Sequence, residues 1–112
     1  MASIPVKSTL NTQTTETVED RFERLAAVWR DETSHLSSST QMAAHPAYEE
    51  IIALGQDVVP LLLRELAREP DHWFTALKRI TGANPVDPVD RGRIDKMAEA
   101  WLKWGKKAGY RW

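Results

Sequence analysis

The chain has 112 residues, 42% of them hydrophobic, with a formal net charge of −1 and no cysteine. That length suits one domain around a single core, and without cysteine there is no disulfide framework, no thiolate zinc site and no thiol enzyme chemistry. No apolar run approaches the roughly eighteen residues that cross a bilayer, so no membrane contact is expected.

The opening stretch MASIPVKSTLNTQTT lacks a hydrophobic signal core, and Ala2 stands where myristoylation needs glycine. Residues 1–15, rich in Ser, Thr, Asn and Gln, are expected to form a flexible tail. Residues 16–112 are expected to form a single all-α domain in the cytoplasm, a compact bundle of about five helices. From about Glu16, the residues Val18, Phe22, Leu25 and Trp29 recur at steps of four, three and four, with Ala26 on the same side. That spacing predicts an amphipathic helix ending near His35, and Glu16, Glu19 and Asp20 favour the positive end of its dipole.

The segment LSSST, Leu36 to Thr40, offers hydroxyls that compete with helical hydrogen bonds, so it reads as a turn able to cap a short following helix. No Gly-x-Ser-x-Gly elbow surrounds these serines, and no His or Lys stands at a recognised spacing, so turn chemistry explains them better than a nucleophile. His45 and Pro46 introduce a helix over Ala47 to Leu54, with Pro46 at its first position and Gly55 as its C-terminal cap. Tyr48, Ile51 and Ile52 form its predicted buried edge.

The stretch Val58 to Gly82 holds the densest apolar run and reads as a helical hairpin. Val58, Val59, Leu61, Leu62, Leu63 and Leu66 cover most of a helix circumference, so that helix must be enclosed. Asp57 is expected to cap it and Pro70 to close it at Glu69. A second helix is expected from Asp71 to about Thr81, packing through Trp73, Ala76, Leu77 and Ile80, with Phe74 on the flank and Gly82 as cap. Lys78 and Arg79 point away. The segment ANPVDPVD then predicts an extended loop crossing the end of the bundle. A last helix is expected from Arg91 to Lys107, capped by Asp90 and ended by Gly109, with Ile94, Met97, Ala98, Trp101 and Leu102 on its packed face.

The wording IIALGQDVVPLLLRELAREPDHWFTALKRITG resembles a HEAT-type unit: a helix ending in Leu-Gly, a Val-Pro opening, a leucine-rich helix and a partner helix ending in Thr-Gly. Residues 46–82 are thus a HEAT-like hairpin by resemblance. The run from Phe22 to Trp112, with HPAYEEII, EPDHWFTALKRITG and AWLKWGKKAGY, also resembles a recurrent family of short bacterial proteins. The resemblance implies a compact α-helical fold and a bacterial origin, and supplies no catalytic residue.

His35, His45 and His72 are not paired at i+3 or i+4, and no His-Glu-x-x-His pattern occurs, so no metal site is expected. Glu49 and Glu50 point to different helix faces, which fits a solvated surface better than an acid–base pair. The five glycines are isolated and each is read as lying near a helix end or in a loop; with no phosphate loop among them, no cofactor is expected and no catalytic residue is named.

The C-terminal segment is the candidate contact surface. Residues 1–36 carry −2, residues 37–90 carry −4, and residues 91–112 carry +5. There Lys103, Trp104, Lys106, Lys107, Tyr110, Arg111 and Trp112 interleave rings and cations, as single-stranded nucleic acid or an acidic protein would favour. Trp101 belongs to the core stripe and Trp104 shields its rim, leaving Tyr110, Arg111 and Trp112 to fold back over the bundle or meet a partner. The reading is a non-enzymatic protein-interaction module or small regulatory subunit; the rival is a nucleic-acid-associated regulator.

Overall fold

The computed structural model describes residues 16–112, which form six α-helices and no strand; the tail expected over residues 1–15 lies outside the described residues. The first helix, α1 (Val18–Thr33), opens with a capping box: the Thr17 hydroxyl accepts from the Asp20 amide at 3.0 Å, and the Asp20 carboxylate accepts from the Thr17 amide at 3.3 Å. It buries Phe22, Leu25, Ala26 and Trp29, the stripe read from the sequence. Ser38 then accepts from the Gln41 amide and starts the short helix α2 (Ser39–Ala43), the sixth helix beyond the five expected. Trp29 ties α2 down by donating its indole N–H to the Met42 carbonyl at 2.8 Å.

Helix α3 (Pro46–Ala53) has Pro46 in its first turn, and His45 is its N-cap through a ring nitrogen: Nδ1 accepts from the Ala47 amide at 3.0 Å. The other nitrogen, Nε2, lies 2.7 Å from the Glu32 carboxylate and so holds the proton. Gly55 adopts φ +75°, a left-handed turn that a side chain would strain.

At α4 (Val59–Arg68) the structure corrects the expected start. Asp57 does not cap it; a 3-10 turn, Gly55–Val58, runs straight into α4, and Val58 already has near-helical φ −89° and ψ −12°. With no break in the spiral there is no extended residue from which a side chain could reach back. Pro70 acts as read, since Glu69 is extended at φ −156° and ψ 99°.

The next helix, α5 (Phe74–Thr81), begins three residues later than Asp71, because that carboxylate accepts from the adjacent His72 amide at 2.7 Å and holds the chain in a turn. Gly82 closes α5 at φ +75°. Helix α6 (Ile94–Ala108) likewise begins later than Arg91. Pro88–Asp90 form a 3-10 turn capped by Asp87, whose carboxylate accepts from the Val89 amide at 3.2 Å. Asp90 ends that turn and caps nothing with its side chain, while its carbonyl accepts from the Arg93 amide. Gly109 ends α6 at φ +91°.

Helix α1 packs chiefly on α3, α3 on α5, and α4 on α6, with the 3-10 turn at Gly55–Val58 touching α1, α3, α4 and α5. One continuous core results. Leu62, Leu63 and Leu66 of α4 are buried, whereas Leu61 only flanks the core. Ile94, Met97 and Leu102, expected on the packed face of α6, are half-buried, and Ile94 and Met97 border a small cleft beside Phe74 and Thr75.

An aromatic cluster fills the other half of the core. Trp73 lies 4.5 Å from Trp29, 5.5 Å from Phe22 and 5.7 Å from Tyr48, ring centre to ring centre. The Tyr48 hydroxyl donates to the His72 carbonyl at 2.9 Å and accepts from the Ala76 amide at 2.9 Å. It thus satisfies two backbone groups at the start of α5 that no helical partner reaches.

Burial pushes the Tyr48 hydroxyl from the ordinary 10.0 up to about 12. A phenol whose ionisation is opposed by folding contributes stability that is complete below the unfolded value and lost as pH rises through the folded one. Stability is therefore expected to fall between about pH 10 and 12, by at most about 3 kcal/mol for Tyr48. Urea melts at pH 9 and 11.5 check this; Tyr48→Phe should shrink the alkaline loss, and an equal loss in both proteins would contradict it.

Candidate functional site

The arginines of the first five helices and the lysines of α6 differ in how they are paired. The arginines of α1, α4 and α5 are occupied: Arg24 with Glu16 at 3.1 Å, Arg64 with Glu19 and Glu23 at 2.7 and 2.9 Å, and Arg79 with Glu49 at 2.8 Å. Hydrogen bonds donated to those carboxylates hold the three guanidiniums above their already high ordinary range. Arg30 and Arg68 both reach Glu65, at 2.8 and 3.0 Å. Glu65 is 7% exposed, a buried carboxylate made tolerable by two guanidiniums whose outer ends stay in water.

On α6 the situation is reversed. Lys96, Lys103, Lys106 and Lys107 have no ion-pair partner among the described residues. Lys96, Ala100, Lys103 and Lys107 follow one another at steps of four, three and four, which places them on one face of the helix. That face borders a cleft of about 510 Å³ between α6 and the loop before it, lined by Pro85, Asp87 and Asp90 on one side and by Lys96, Lys103, Trp104 and Lys107 on the other.

Of the seven residues singled out in the sequence, the structure brings Lys103, Trp104 and Lys107 together at this cleft. Tyr110 and Trp112 fold back. Tyr110 donates its backbone amide to the Gly105 carbonyl at 3.0 Å and its hydroxyl to Gln56 Oε1, and its ring lies 5.7 Å from Trp104. Trp104 in turn meets Trp101 edge-on at 5.3 Å, with the ring planes at 76°. Lys106 and Arg111 are exposed and outside the cleft lining.

The seat of Trp112 is Gly105, a residue that the sequence reading treated as one more glycine near a helix end. It sits inside α6, buried, and a Cβ built there would lie 2.7 Å from Leu63 Cδ1 and 3.0 Å from Trp112 Cζ3. Glycine is present because α4 and the C-terminal ring both press on that point. In an open helix Gly→Ala gains about 1 kcal/mol; at Gly105 the gain should vanish, since Leu63 is fully buried and only Trp112, 38% exposed, can yield. Fluorescence of Gly105→Ala minus that of its Trp112→Phe double variant isolates the Trp112 emission. A red shift is expected, and an unshifted emission with a raised melting temperature would contradict the packing.

The three histidines lie apart in role: His35 is exposed, His45 caps α3, and His72 borders a smaller cleft with Ser39, Phe74, Thr75, Gly92, Ile94 and Met97. Among the described residues no group of three or more His, Cys, Asp or Glu is placed to hold a metal ion, and no helix is long and apolar enough to cross a membrane. Compared with models of known families, with curated proteins and with solved structures, the chain matches none.

Proposed function

We propose that this chain is a non-enzymatic protein-interaction module, a small regulatory subunit of the bacterial cytoplasm, with the cleft beside α6 as its contact surface. The observation that carries the reading is the contrast in charge pairing. Arginines on α1, α4 and α5 are spent in ion pairs, whereas the lysines of α6 stand unpaired beside an aromatic ring and an open cleft. Charges left free next to a half-buried ring are an arrangement that steers and anchors a partner. In this reading the HEAT-like hairpin over residues 46–82 is the scaffold that holds α6 in place. Where ionisation is displaced, the causes are burial for Tyr48 and ion pairing for Glu16 and the arginines, which are structural causes and not those of a reaction site.

The nucleic-acid reading draws support from Lys103, Lys106, Lys107 and Arg111, but Asp87 and Asp90 on the opposite wall would repel a polyanion entering the cleft. Capture from the native cytosol tests the preferred reading: the wild-type chain should retain a partner that a Lys103→Glu/Lys107→Glu variant loses. Equal retention by both, or none by either with a monomer by light scattering, would overturn it. Titration with short single- and double-stranded oligonucleotides at two salt concentrations should give a flat response. A tight complex that weakens steeply with salt would favour the rival instead.

A further inference from the structure

The cleft beside α6 is split by charge across its width. Its helix wall carries Lys96, Lys103 and Lys107 against the single carboxylate of Glu99, leaving +2; its loop wall carries Asp87 and Asp90, leaving −2. Asp87 spends one contact on the Val89 amide. Neither Asp87 nor Asp90 meets a basic partner among the described residues. Both walls line one open cleft, and Trp104, next to Lys103 in the chain, belongs to the helix side.

A uniformly acidic ligand would gain at α6 and lose at the loop, and a uniformly basic one the reverse. The two walls are satisfied together only by a ligand of opposite charge on its two sides. An extended peptide has that form when acidic and basic residues alternate, since successive side chains point to opposite sides of the strand. The spacing agrees: Lys103 and Lys107 are separated by about 6 Å along the helix axis, and every second residue of an extended strand by about 6.7 Å. Lys96 lies about 10.5 Å from Lys103 along the axis, between one such strand step and two, so its long, flexible side chain must span the remaining difference of about 3 Å.

Resting on the interaction reading above, we propose that the partner segment is an extended stretch of another protein with alternating acidic and basic residues and one aromatic residue. Its acidic side lies on Lys96, Lys103 and Lys107, its basic side on Asp87 and Asp90, and its ring against Trp104. The proposal gives a role to Asp90, a loop carboxylate that caps nothing yet lines the same cleft as a cationic helix, which a site for a simple polyanion would not.

The test uses the full chain and three acetylated, dye-labelled peptides: nine residues alternating Glu and Lys around a central Phe, an isomer of the same composition with all Glu before Phe and all Lys after it, and an all-Glu version. Anisotropy titration should show the alternating peptide binding at least tenfold more tightly than the block isomer. Lys103→Glu should weaken it, and Asp90→Lys should weaken it while strengthening the all-Glu peptide, with thermal melts showing both variants folded. Equal binding of the two isomers, or a preference for all-Glu that Asp90→Lys leaves unchanged, overturns the inference and leaves the interaction reading standing. Failure of all three peptides overturns it as well, and retention of a cytosolic partner by the wild-type chain but not by the Lys103→Glu/Lys107→Glu variant then shows that only the inferred chemistry has failed.

Discussion

Trp73→Ala is expected to remove about 3 to 5 kcal/mol of stability, close to the whole margin of a domain this size. Trp73 is fully buried and its ring is shared among Phe22, Trp29 and Tyr48, on α1 and α3, from a position just ahead of α5. Removing it opens a cavity bordered by three rings that are themselves fixed, so little of the space can collapse. Its indole N–H is buried and has no hydrogen-bond partner. Trp73→Phe should therefore cost much less, because it loses ring area but no bond. Trp29→Phe makes the contrasting case, since it removes the shorter of the hydrogen bonds to the Met42 carbonyl and leaves the His45 amide at 3.3 Å. Urea melts of the three variants check the order, with Trp73→Ala the least stable; a Trp73→Ala protein within about 1 kcal/mol of wild type would contradict the packing described.

Leu62→Ala and Leu66→Ala are each expected to cost about 2 to 5 kcal/mol. Both side chains are at most 1% exposed, on the helix that contacts α6 on one side and the 3-10 turn and α5 on another. Leu61→Ala supplies the internal comparison, since that side chain only flanks the core and should cost clearly less. Thermal melts separate the outcomes, and unchanged midpoints for Leu62→Ala and Leu66→Ala would mean that α4 is not enclosed.

Much of this fold was legible in the sequence where one period or one punctuating residue decides the outcome. The stripe Phe22, Leu25, Ala26 and Trp29, the stop at Pro70 and the left-handed glycines at 55, 82 and 109 required no tertiary information. Helix starts were less legible. Asp57 and Asp90 each looked like an N-cap and Asp71 like the first residue of a helix, and each is bypassed because a turn upstream or downstream sets the local backbone. Capping from sequence assumes an extended residue ahead of the helix, and at α4 the chain enters already coiled.

The candidate surface was partly legible. The +5 of residues 91–112 and the spacing of Lys103, Trp104 and Lys107 marked α6. The opposing carboxylates did not stand out, since Asp87 and Asp90 become neighbours of α6 only through the path of the loop. Gly105 gave no local signal either: only the approach of Leu63 and Trp112 explains a glycine inside a helix. The burial of Glu65 had a faint sequence trace in Arg68 three residues on, but Arg30 reaches it from α1, far away in the chain.

Site-directed photo-cross-linking in native cytosol tests most directly whether the unpaired face of α6, and not the surface around the ion-paired Arg79, engages a partner. A photoreactive residue replacing Lys103 should give a discrete protein adduct that Trp104→Ala abolishes, and the same residue replacing Arg79 should give none. No adduct from position 103, or one that also forms from position 79, would contradict the account.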